Sequence, residues 1–271
     1  MPFFDVKAKW THVSKTQPCP VCKKPDWCVI GERWINCMRV TSDKTCKNGG
    51  WLHPINGEFK PVRPIEQWKP SSRPNFTNLM ERWQLDTLPM AVTKFAEELG
   101  VHHTALYALG CAWSRLHMAW AFPMVDGNRN IIGIRLRNHE GRKWAVKGSQ
   151  QGLFVPSSKP DSMAFVCEGP TDAAAALSLG FYAVGRPSCL GGTEHLKTLF
   201  RSRHVQRAVL LADNDEPGIR GAERLAVEIG LPCALLILPA KDVRAFVQAG
   251  GTRLMVEAIL HDTIWRHPKR P

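Results

Sequence analysis

The second half of the chain alternates between short apolar runs and amphipathic segments. Apolar residues recur at helical spacing in the amphipathic segments, whereas each apolar run has the length of a buried strand. The four runs lie at residues 163–168, 181–185, 208–213 and 234–239. Because parallel strands need crossover connections and are covered on both faces, this alternation predicts an α/β fold. We expect a largely parallel sheet with helices on both faces over residues 161–250.

The preceding segment, residues 76–160, follows a different pattern. Residues 76–111 have helical periodicity, and the strand-like runs after them are separated by the turns DGNRN and NHEGR. In the run IIGIRLR, apolar residues alternate with Arg135 and Arg137, so one face of this strand is apolar and the other is basic. We therefore expect a small α+β subdomain ahead of the parallel sheet.

The N-terminal segment, residues 1–60, is short in aliphatic residues and too small to form a core unaided. Five of the nine cysteines lie in a 28-residue window of this segment. Clustered cysteines in a chain without an apolar signal segment bind metal more often than they form disulfides. Four prolines in residues 61–75 predict a semi-rigid linker. At the other end, residues 251–271 are expected to form a C-terminal tail that is frayed from residue 262.

The spacing of the cysteines predicts a structural zinc ribbon. Cys19 and Cys22 form a C-x2-C pair, and Cys37 follows a predicted hairpin of sequence WCVIGERWINC. This order of knuckle, hairpin and cysteine is typical of zinc sites in which no coordination position is left open for catalysis. We expect Cys46 to be the fourth ligand, with Cys28 and His53 as the alternatives.

The charge of the chain suggests an acidic partner. The 271 residues have a formal net charge of +12, and residues 1–70 hold 12 Lys/Arg against 6 Asp/Glu, a net of +6. A basic chain without a run of 18 apolar residues indicates a polyanion and not a membrane as the partner. Trp27 and Trp34, flanked by cations, are candidates for stacking on the bases of single-stranded DNA. Packing of the hairpin against Trp51 is the alternative role for both tryptophans.

Acidic residues follow three of the predicted strands. Glu168 ends the first strand, Asp213 and Asp215 follow the third, and Asp242 follows the fourth. In a parallel sheet these positions meet at the carboxyl edge, where open α/β folds bind their ligands. Grouped carboxylates are the oxygen ligands that magnesium prefers, so the pattern favours a metal-dependent phosphoryl-transfer site. Aspartates at strand ends also cap helices, and we expect Asp172 to act in that way.

The sequence EGPTD at 168–172, followed by ADNDEPG at 212–218 and by Lys241-Asp242, resembles the Toprim domain of bacterial-type primases, topoisomerases and some nucleases. The cysteine cluster, the linker and the segment FPMVDGNRNIIGIRLRNHEGRKWAVKGS extend the resemblance. Over about residues 15–250 the chain is similar to bacterial and bacteriophage-type DNA primases. It is similar to the primase half of phage primase–helicases and to primase-like proteins of phages and mobile elements.

The resemblance implies a role for each matched residue. Glu168 would act as a base or a metal ligand, and Asp213 and Asp215 would be the metal-binding pair. Asp242 would be an additional acidic position. The implied nucleotide- and template-binding residues are Arg135, Arg137, Lys143, Lys147 and Lys241.

The implied function is synthesis of short RNA primers on single-stranded DNA from nucleoside triphosphates, with structural zinc and catalytic magnesium or manganese. Because the chain has no P-loop pattern, a separate replicative helicase is an expected partner. The expected location is the cytoplasm of a bacterial or phage-infected cell. A Toprim nuclease and a non-catalytic zinc-ribbon DNA-binding accessory protein are the alternatives. A topoisomerase is disfavoured because the only tyrosines, Tyr107 and Tyr182, lie in a predicted helix and strand.

Overall fold

A computed structural model of the chain describes residues 10–46, 50–55, 74–160 and 162–267. The chain divides into two compact units, residues 1–72 and 73–271. Most of the predicted linker at 61–75 lies outside the described residues. None of the described helices combines the length and the apolar character needed to cross a membrane.

The N-terminal unit contains a small antiparallel sheet. Its strands pair in chain order and are β1 (Thr11–His12), β2 (Val29–Ile30), β3 (Trp34–Cys37) and β4 (Trp51–Pro54). The predicted hairpin is therefore present as β2 and β3. The buried apolar cluster of this sheet consists of Val13, Ile35 and three cysteines. The unit therefore has little apolar core beyond the cysteines themselves.

Residues 74–160 combine three helices with a second antiparallel sheet, as the periodicity predicts. The helices are α1 (Phe76–Asp86), α2 (Pro89–Leu99) and α3 (His103–Ala108). The sheet, paired in chain order, consists of β5 (Ala112–Ser114), β6 (Ala119–Val125), β7 (Ile131–Arg137) and β8 (Lys143–Ala145). Alternate residues of β6 pack against α1 on one face and against α2 and α3 on the other. This double burial explains why β6 is apolar throughout.

The second half of the chain forms the predicted parallel sheet. Its strands are β9 (Met163–Glu168), β10 (Ala183–Arg186), β11 (Arg207–Ala212) and β12 (Cys233–Ile237). Their order is β10-β9-β11-β12, and each neighbouring pair is parallel. The α/β class is therefore confirmed.

Helices cover both faces of this sheet. They are α4 (Gly169–Ser178), α5 (Thr193–Ser202), α6 (Glu216–Glu228) and α7 (Val243–Gln248). α5 and α6 pack on one face, whereas α4 and α7 pack on the other. Four consecutive alanines of α4, residues 173–176, are fully buried. Their small size lets α4 contact the parallel sheet with one side and the α2–α3 pair with another.

A two-residue segment joins the antiparallel and parallel sheets of this larger unit. Leu153 exchanges two backbone hydrogen bonds of 2.8 Å with Val125 of β6, and Phe154 exchanges two of 2.9 Å with Gly185 of β10. Both side chains are buried. A Cβ atom on Gly185 would lie 2.4 Å from the Gly169 carbonyl oxygen, so this close approach requires glycine.

The expectation of a C-terminal tail frayed from residue 262 is wrong over the described residues. An eighth helix, α8 (Arg253–His261), packs through Val256 on the face that α4 and α7 cover. Arg266 then exchanges two backbone hydrogen bonds of 2.8 Å with Cys233 at the start of β12. The chain after α8 is therefore held to the sheet by backbone pairing, which side-chain periodicity does not reveal.

We expect Phe165→Ala to destabilise the larger unit by about 3–5 kcal/mol, the usual range for a buried phenylalanine. Phe165 is 1% exposed on β9, and its ring stacks on that of Phe181 at 4.2 Å between centroids. Urea unfolding followed by circular dichroism measures the change. Leu85→Ala is the control: its side chain is 88% exposed, so its effect should stay within about 0.5 kcal/mol. Equal effects of the two substitutions would contradict the assigned core.

Candidate metal and nucleotide sites

Four cysteines of the N-terminal unit are close enough to hold one metal ion. The sulfur atoms of Cys19, Cys22, Cys28 and Cys37 all lie within 4.8 Å of one another. The Sγ atoms of Cys22 and Cys28 are 3.7 Å apart, and those of Cys28 and Cys37 are 4.0 Å apart. Four thiolates at about 2.3 Å from a tetrahedral zinc ion have similar separations. The donor set fits a structural zinc ion and leaves no ligand position open.

The expectation that Cys46 is the fourth member of this cluster is wrong, because Cys28 takes that position. Cys28 immediately precedes β2, and pairing of β2 with β3 brings it beside Cys37 at the end of β3. Cys46 lies in the segment before β4, where its N–H donates to the Gly50 carbonyl oxygen at 3.0 Å. His53, the other alternative, lies on β4 and bonds through Nε2 to the Val40 carbonyl oxygen at 2.9 Å.

Backbone N–H groups and one guanidinium face the sulfur atoms. The N–H of Met38 donates to Sγ of Cys28 at 3.4 Å, and the N–H of Val40 donates to Sγ of Cys37 at 3.3 Å. Nη1 of Arg39 lies 4.0 Å from the sulfurs of Cys22 and Cys28. Burial raises the pKa of Cys28 to about 12. A bound metal would therefore displace a proton there, and the surrounding donors would stabilise the resulting thiolates.

The two tryptophans expected to stack on bases differ in exposure. Trp27 is 76% exposed and lies in the bend before β2 with φ of 67°, not on the strand itself. The guanidinium of Arg39 is 5.3 Å from its ring centroid. Trp34 begins β3 and is half-buried, with Nζ of Lys44 4.6 Å from its ring centroid. Each indole has a cation over its ring, and Trp27 does not pack into the small core.

In the larger unit, the carboxyl edge of the parallel sheet brings acidic residues together. Glu168 is the last residue of β9, and Asp213 directly follows the neighbouring strand β11. The N–H of Asp215 donates to the Asp213 carbonyl oxygen at 2.8 Å, which makes a tight turn before α6. A Cβ atom on Gly218 would lie 2.6 Å from the Asp213 carbonyl oxygen, so the approach of α6 to this turn requires glycine.

Two of the predicted acidic residues also cap helices. Asp215 accepts the N–H of Gly218 at 2.8 Å at the start of α6. Asp242 accepts the N–H of Ala245 at 2.7 Å at the start of α7. In each case the cap uses one of the two carboxylate oxygens.

Asp172 was expected only to cap a helix, but it is buried within the first turn of α4. It is 7% exposed, and its Oδ1 accepts the N–H of Arg244 in the first turn of α7 at 3.1 Å. Burial and then the charge of Asp242 raise the pKa of Asp172 to about 6. Asp172 is therefore a fifth carboxyl group at this edge, beside Glu168, Asp213, Asp215 and Asp242.

Asp213 lies at the electrostatic centre of these carboxylates. Burial, followed by the charges of Asp172, Glu168, Asp242 and Asp215, raises its pKa to about 7. Its Oδ1 is buried and has no hydrogen-bond donor among the described residues. A divalent cation would supply both the missing partner and the charge that relieves this repulsion. A set of carboxylate oxygens fits magnesium or manganese.

The carboxylates are less closely grouped than the cysteines. Within the part of the chain that the structure describes, the cysteine cluster is the one group of three or more ligand-bearing side chains within metal-binding reach of each other. Glu168, Asp213 and Asp215 thus share an edge without forming a closed coordination shell. Magnesium usually keeps several waters or phosphate oxygens as ligands, and an open arrangement provides for them.

Two of the predicted basic residues border the carboxylates. The charge of Lys143 opposes the rise in pKa that burial causes at both Glu168 and Asp172. Burial lowers the pKa of Arg137, and the charges of Arg244, Asp172 and Asp242 act on the same guanidinium. Lys143 and Arg137 therefore lie where a negatively charged ligand of the acidic edge would meet them.

The other three predicted basic residues have different settings. Arg135 is half-buried; its Nη2 lies 3.5 Å from the Pro187 carbonyl oxygen, and its Nε is buried without an acceptor among the described residues. The backbone of Lys241 contacts the turn after β11: its carbonyl oxygen accepts the N–H of Asn214 at 2.8 Å. Lys147 is exposed after β8.

Arg186 and Arg244 belong to this edge but were not predicted. Arg186 ends β10 directly opposite Glu168 in the pairing with β9, and it is only 4% exposed. Its Nε donates to the Gly191 carbonyl oxygen at 2.8 Å, and its charge opposes the burial that raises the pKa of Glu168. No sequence signal marks either arginine, because strand pairing and helix packing alone bring them to the carboxylates.

Comparisons with known proteins agree with this architecture. Residues 165–247, from β9 into α7, match the Toprim-like family, so this part of the chain is similar to Toprim-like domains. A search of the curated protein sequences finds no match.

Over about 70% of its length, the chain has the fold of primase catalytic cores. The E. coli primase catalytic core is 16% identical over 69% of this chain and 79% of that chain, with a TM-score of 0.55. A primase catalytic domain bound to single-stranded DNA is 14% identical over 70% and 77%, with a TM-score of 0.55. The zinc-binding and RNA polymerase domains of the Aquifex aeolicus primase are 12% identical over 69% and 60%, with a TM-score of 0.57. The resemblance to primases is confirmed at the level of the fold.

We expect Cys28→Ser to abolish stoichiometric zinc binding, because three sulfurs no longer complete the tetrahedral set. Cys46→Ser is the matched control and should retain one zinc ion per chain. Metal content after dialysis, measured by mass spectrometry and by release to a chromophoric chelator, distinguishes the two variants. Loss of zinc from Cys46→Ser with retention by Cys28→Ser would reverse the assignment.

We expect Asp213→Asn to stabilise the metal-free protein by about 1–2 kcal/mol, because it removes one charge from a mutually repelling group. It should also reduce the stabilisation that added magnesium or manganese gives. Urea unfolding with and without each metal measures both effects. Asp262→Asn serves as the control, since Asp262 is largely exposed and contacts His261. A metal response equal to that of the unsubstituted protein would exclude Asp213 as a ligand.

Proposed function

We propose that this protein is a DNA primase, which joins nucleotides on a single-stranded DNA template by metal-dependent nucleotidyl transfer. The observation that carries the proposal is the open group of Glu168, Asp213 and Asp215 on neighbouring parallel strands. Lys143 interacts electrostatically with Glu168, and Arg137 interacts with Asp172 and Asp242 at the same edge, which provides cations for phosphate binding. The shared fold with primase catalytic cores, one of them bound to single-stranded DNA, supports the proposal.

In the proposed reaction, the 3′-oxygen of one nucleotide attacks the α-phosphorus of a nucleoside triphosphate, and the bond to the β-phosphate oxygen breaks. Bound magnesium or manganese would neutralise the phosphates and assist the departure of pyrophosphate. Asp213 and Asp215 would hold the cation from the end of β11. Glu168 would complete that set or accept the proton of the attacking hydroxyl group.

The basic residues would orient the triphosphate. Lys143 and Arg137 approach the carboxylates from the antiparallel sheet, which the Leu153–Phe154 segment hydrogen-bonds to the parallel sheet. Because both sheets are held rigidly together, the cations keep a fixed position relative to the acidic edge. Arg135 and Lys147 would extend the basic surface toward the template. Positioning and charge neutralisation supply most of the acceleration in phosphoryl transfer.

The N-terminal unit would hold the template. We assign residues 1–60 to a zinc-binding domain, 61–75 to a linker, 76–160 to the N-terminal primase subdomain and 161–250 to the Toprim domain. Trp27 with Arg39, and Trp34 with Lys44, each present an aromatic ring with an adjacent cation, the combination that binds single-stranded nucleic acid. Zinc would be structural. A separate replicative helicase is the further partner in this proposal.

We expect the purified protein to make short labelled oligonucleotides from nucleoside triphosphates on single-stranded DNA of mixed sequence, with magnesium or manganese. The Asp213→Ala, Asp215→Ala double variant should lose about 100-fold or more of this activity, because it removes the charges that hold the cation. A denaturing gel resolves the products.

The Glu257→Ala, Asp262→Ala double variant is the control for charge, since both carboxylates are exposed on or beside α8. It should retain full activity. Shortened template without labelled products would replace the primase assignment with the nuclease. Template binding without either product would favour the non-catalytic accessory protein.

A further inference from the structure

Five arginines lie along the amino edge of the parallel sheet, opposite the edge that carries the carboxylates. This amino-edge surface consists of Arg129, Arg201, Arg203, Arg207 and Arg266. Because the four strands run in one direction, the segments that precede their first residues meet at this edge. The surface therefore belongs to the parallel sheet but not to its metal-binding edge.

Backbone contacts and electrostatic interactions at the strand starts place four of the arginines, and Arg201 lies in the last turn of α5, ahead of β11. Arg207 is the first residue of β11, and Arg266 pairs by backbone hydrogen bonds with Cys233 at the start of β12. Tyr182 directly precedes β10; burial raises its pKa, and the charges of Arg129 and Arg203 oppose that rise. The arginines thus follow the strand order from β10 to β12. Three strand spacings correspond to about 14 Å.

No carboxylate among the described residues neutralises the charges of these arginines. None of the five has an ion pair with a carboxylate within the described ranges. The acidic residues nearest to Arg129 and Arg266 along the chain are engaged elsewhere: Asp126 accepts three hydrogen bonds from Asn128 and Asn130, and Asp262 contacts His261. By contrast, the helix-surface residues Arg224 and Arg253 each pair with a glutamate four residues along.

Three of the five arginines contact uncharged partners. Arg129 and Arg207 do so through their guanidinium groups, and Arg266 does so through its backbone. Nη2 of Arg129 donates to the Pro156 carbonyl oxygen at 3.2 Å. The Arg207 guanidinium stacks on the Trp265 indole at 5.4 Å from the ring centroid. The Arg266 backbone is bonded to β12. These contacts restrict the side chains or backbone without reducing their positive charge, so an anionic ligand meets a partly ordered array.

We propose that the amino-edge surface binds the phosphate backbone of single-stranded nucleic acid at a site separate from the carboxylate edge. Guanidinium groups bind phosphate oxygens through two parallel hydrogen bonds, which favours a phosphate chain over scattered carboxylates of an acidic protein. The site does not depend on catalysis at the carboxylate edge. It would hold nucleic acid that extends past the proposed active site.

The test compares two triple variants with the same loss of charge. Arg203→Gln, Arg207→Gln, Arg266→Gln removes three arginines of the amino-edge surface. Lys197→Gln, Arg220→Gln, Arg224→Gln removes three cations of α5 and α6 that already pair with glutamates. Fluorescence anisotropy measures binding of each full-length variant to a labelled single-stranded DNA of about 20 nucleotides, at about 50–200 mM salt. Circular dichroism checks that both variants are folded.

We expect the amino-edge variant to bind DNA about 10-fold or more weakly at 0.1 M salt. Its salt slope should fall by about 2, because each phosphate contact with a single strand contributes about 0.7. The control variant should change both quantities much less. Equal weakening of the two variants would show a diffuse charge effect and overturn the proposal. Unchanged DNA binding by the amino-edge variant would also overturn it, leaving an acidic protein as the candidate partner.

A second measurement uses the unsubstituted protein and does not depend on the folding of variants. Phenylglyoxal modifies accessible arginines, and peptide mass spectrometry locates the modified positions. Bound DNA should protect Arg203, Arg207 and Arg266 from modification but leave Arg224 reactive. Unprotected amino-edge arginines at saturating DNA would contradict the site. Because neither measurement requires primer synthesis, failure of this proposal is distinguishable from failure of the primase assignment.

Discussion

Parallel pairing of β9 with both β10 and β11 is the constraint on which the rest of the structure depends. It brings the last residue of β9, Glu168, beside the end of β11, where Asp213 and Asp215 follow. The same pairing places Arg186 opposite Glu168. Since all strands point one way, whatever follows them gathers at one edge and whatever precedes them gathers at the other. The larger unit therefore has an acidic edge and a basic edge built from a single sheet.

The acidic edge has an electrostatic penalty that the packing around it must offset. Burial and mutual repulsion raise the pKa of Asp213 to about 7 and that of Asp172 to about 6, so a bound cation would favour the ionised form of both carboxyl groups. The buried alanines of α4 and the Leu153–Phe154 segment join the surrounding layers through close packing and paired backbone groups. A rigid frame prevents the carboxylates from moving apart to relieve their repulsion. The remaining electrostatic repulsion between the carboxylates therefore favours binding of a divalent cation.

The N-terminal unit uses a different source of stability. Three of the five buried residues in its apolar cluster are cysteines, so the metal site and the core are nearly the same set of atoms. Arg39 connects this cluster to the surface, because its guanidinium approaches two sulfurs, pairs with Asp26 at 2.8 Å and lies over the exposed ring of Trp27. A change in the sulfur cluster would therefore alter the position of the aromatic side chain that we assign to template binding. Arg39 would therefore couple the sulfur cluster to the proposed template-binding ring of Trp27.

The sequence by itself determined the α/β class, the order of the strands and helices over residues 161–250, and the set of carboxylates at the strand ends. These features depend on local periodicity and on the rule that parallel strands share an edge. Only the tertiary structure decided that Cys28 and not Cys46 completes the sulfur cluster, because hairpin register, not spacing, sets which sulfurs meet. It also decided the burial of Asp172, the approach of Arg186 and Arg244 to the carboxylates, and the docking of the segment after α8. In each of these cases the partners are distant in sequence or belong to elements whose mutual packing no local pattern records.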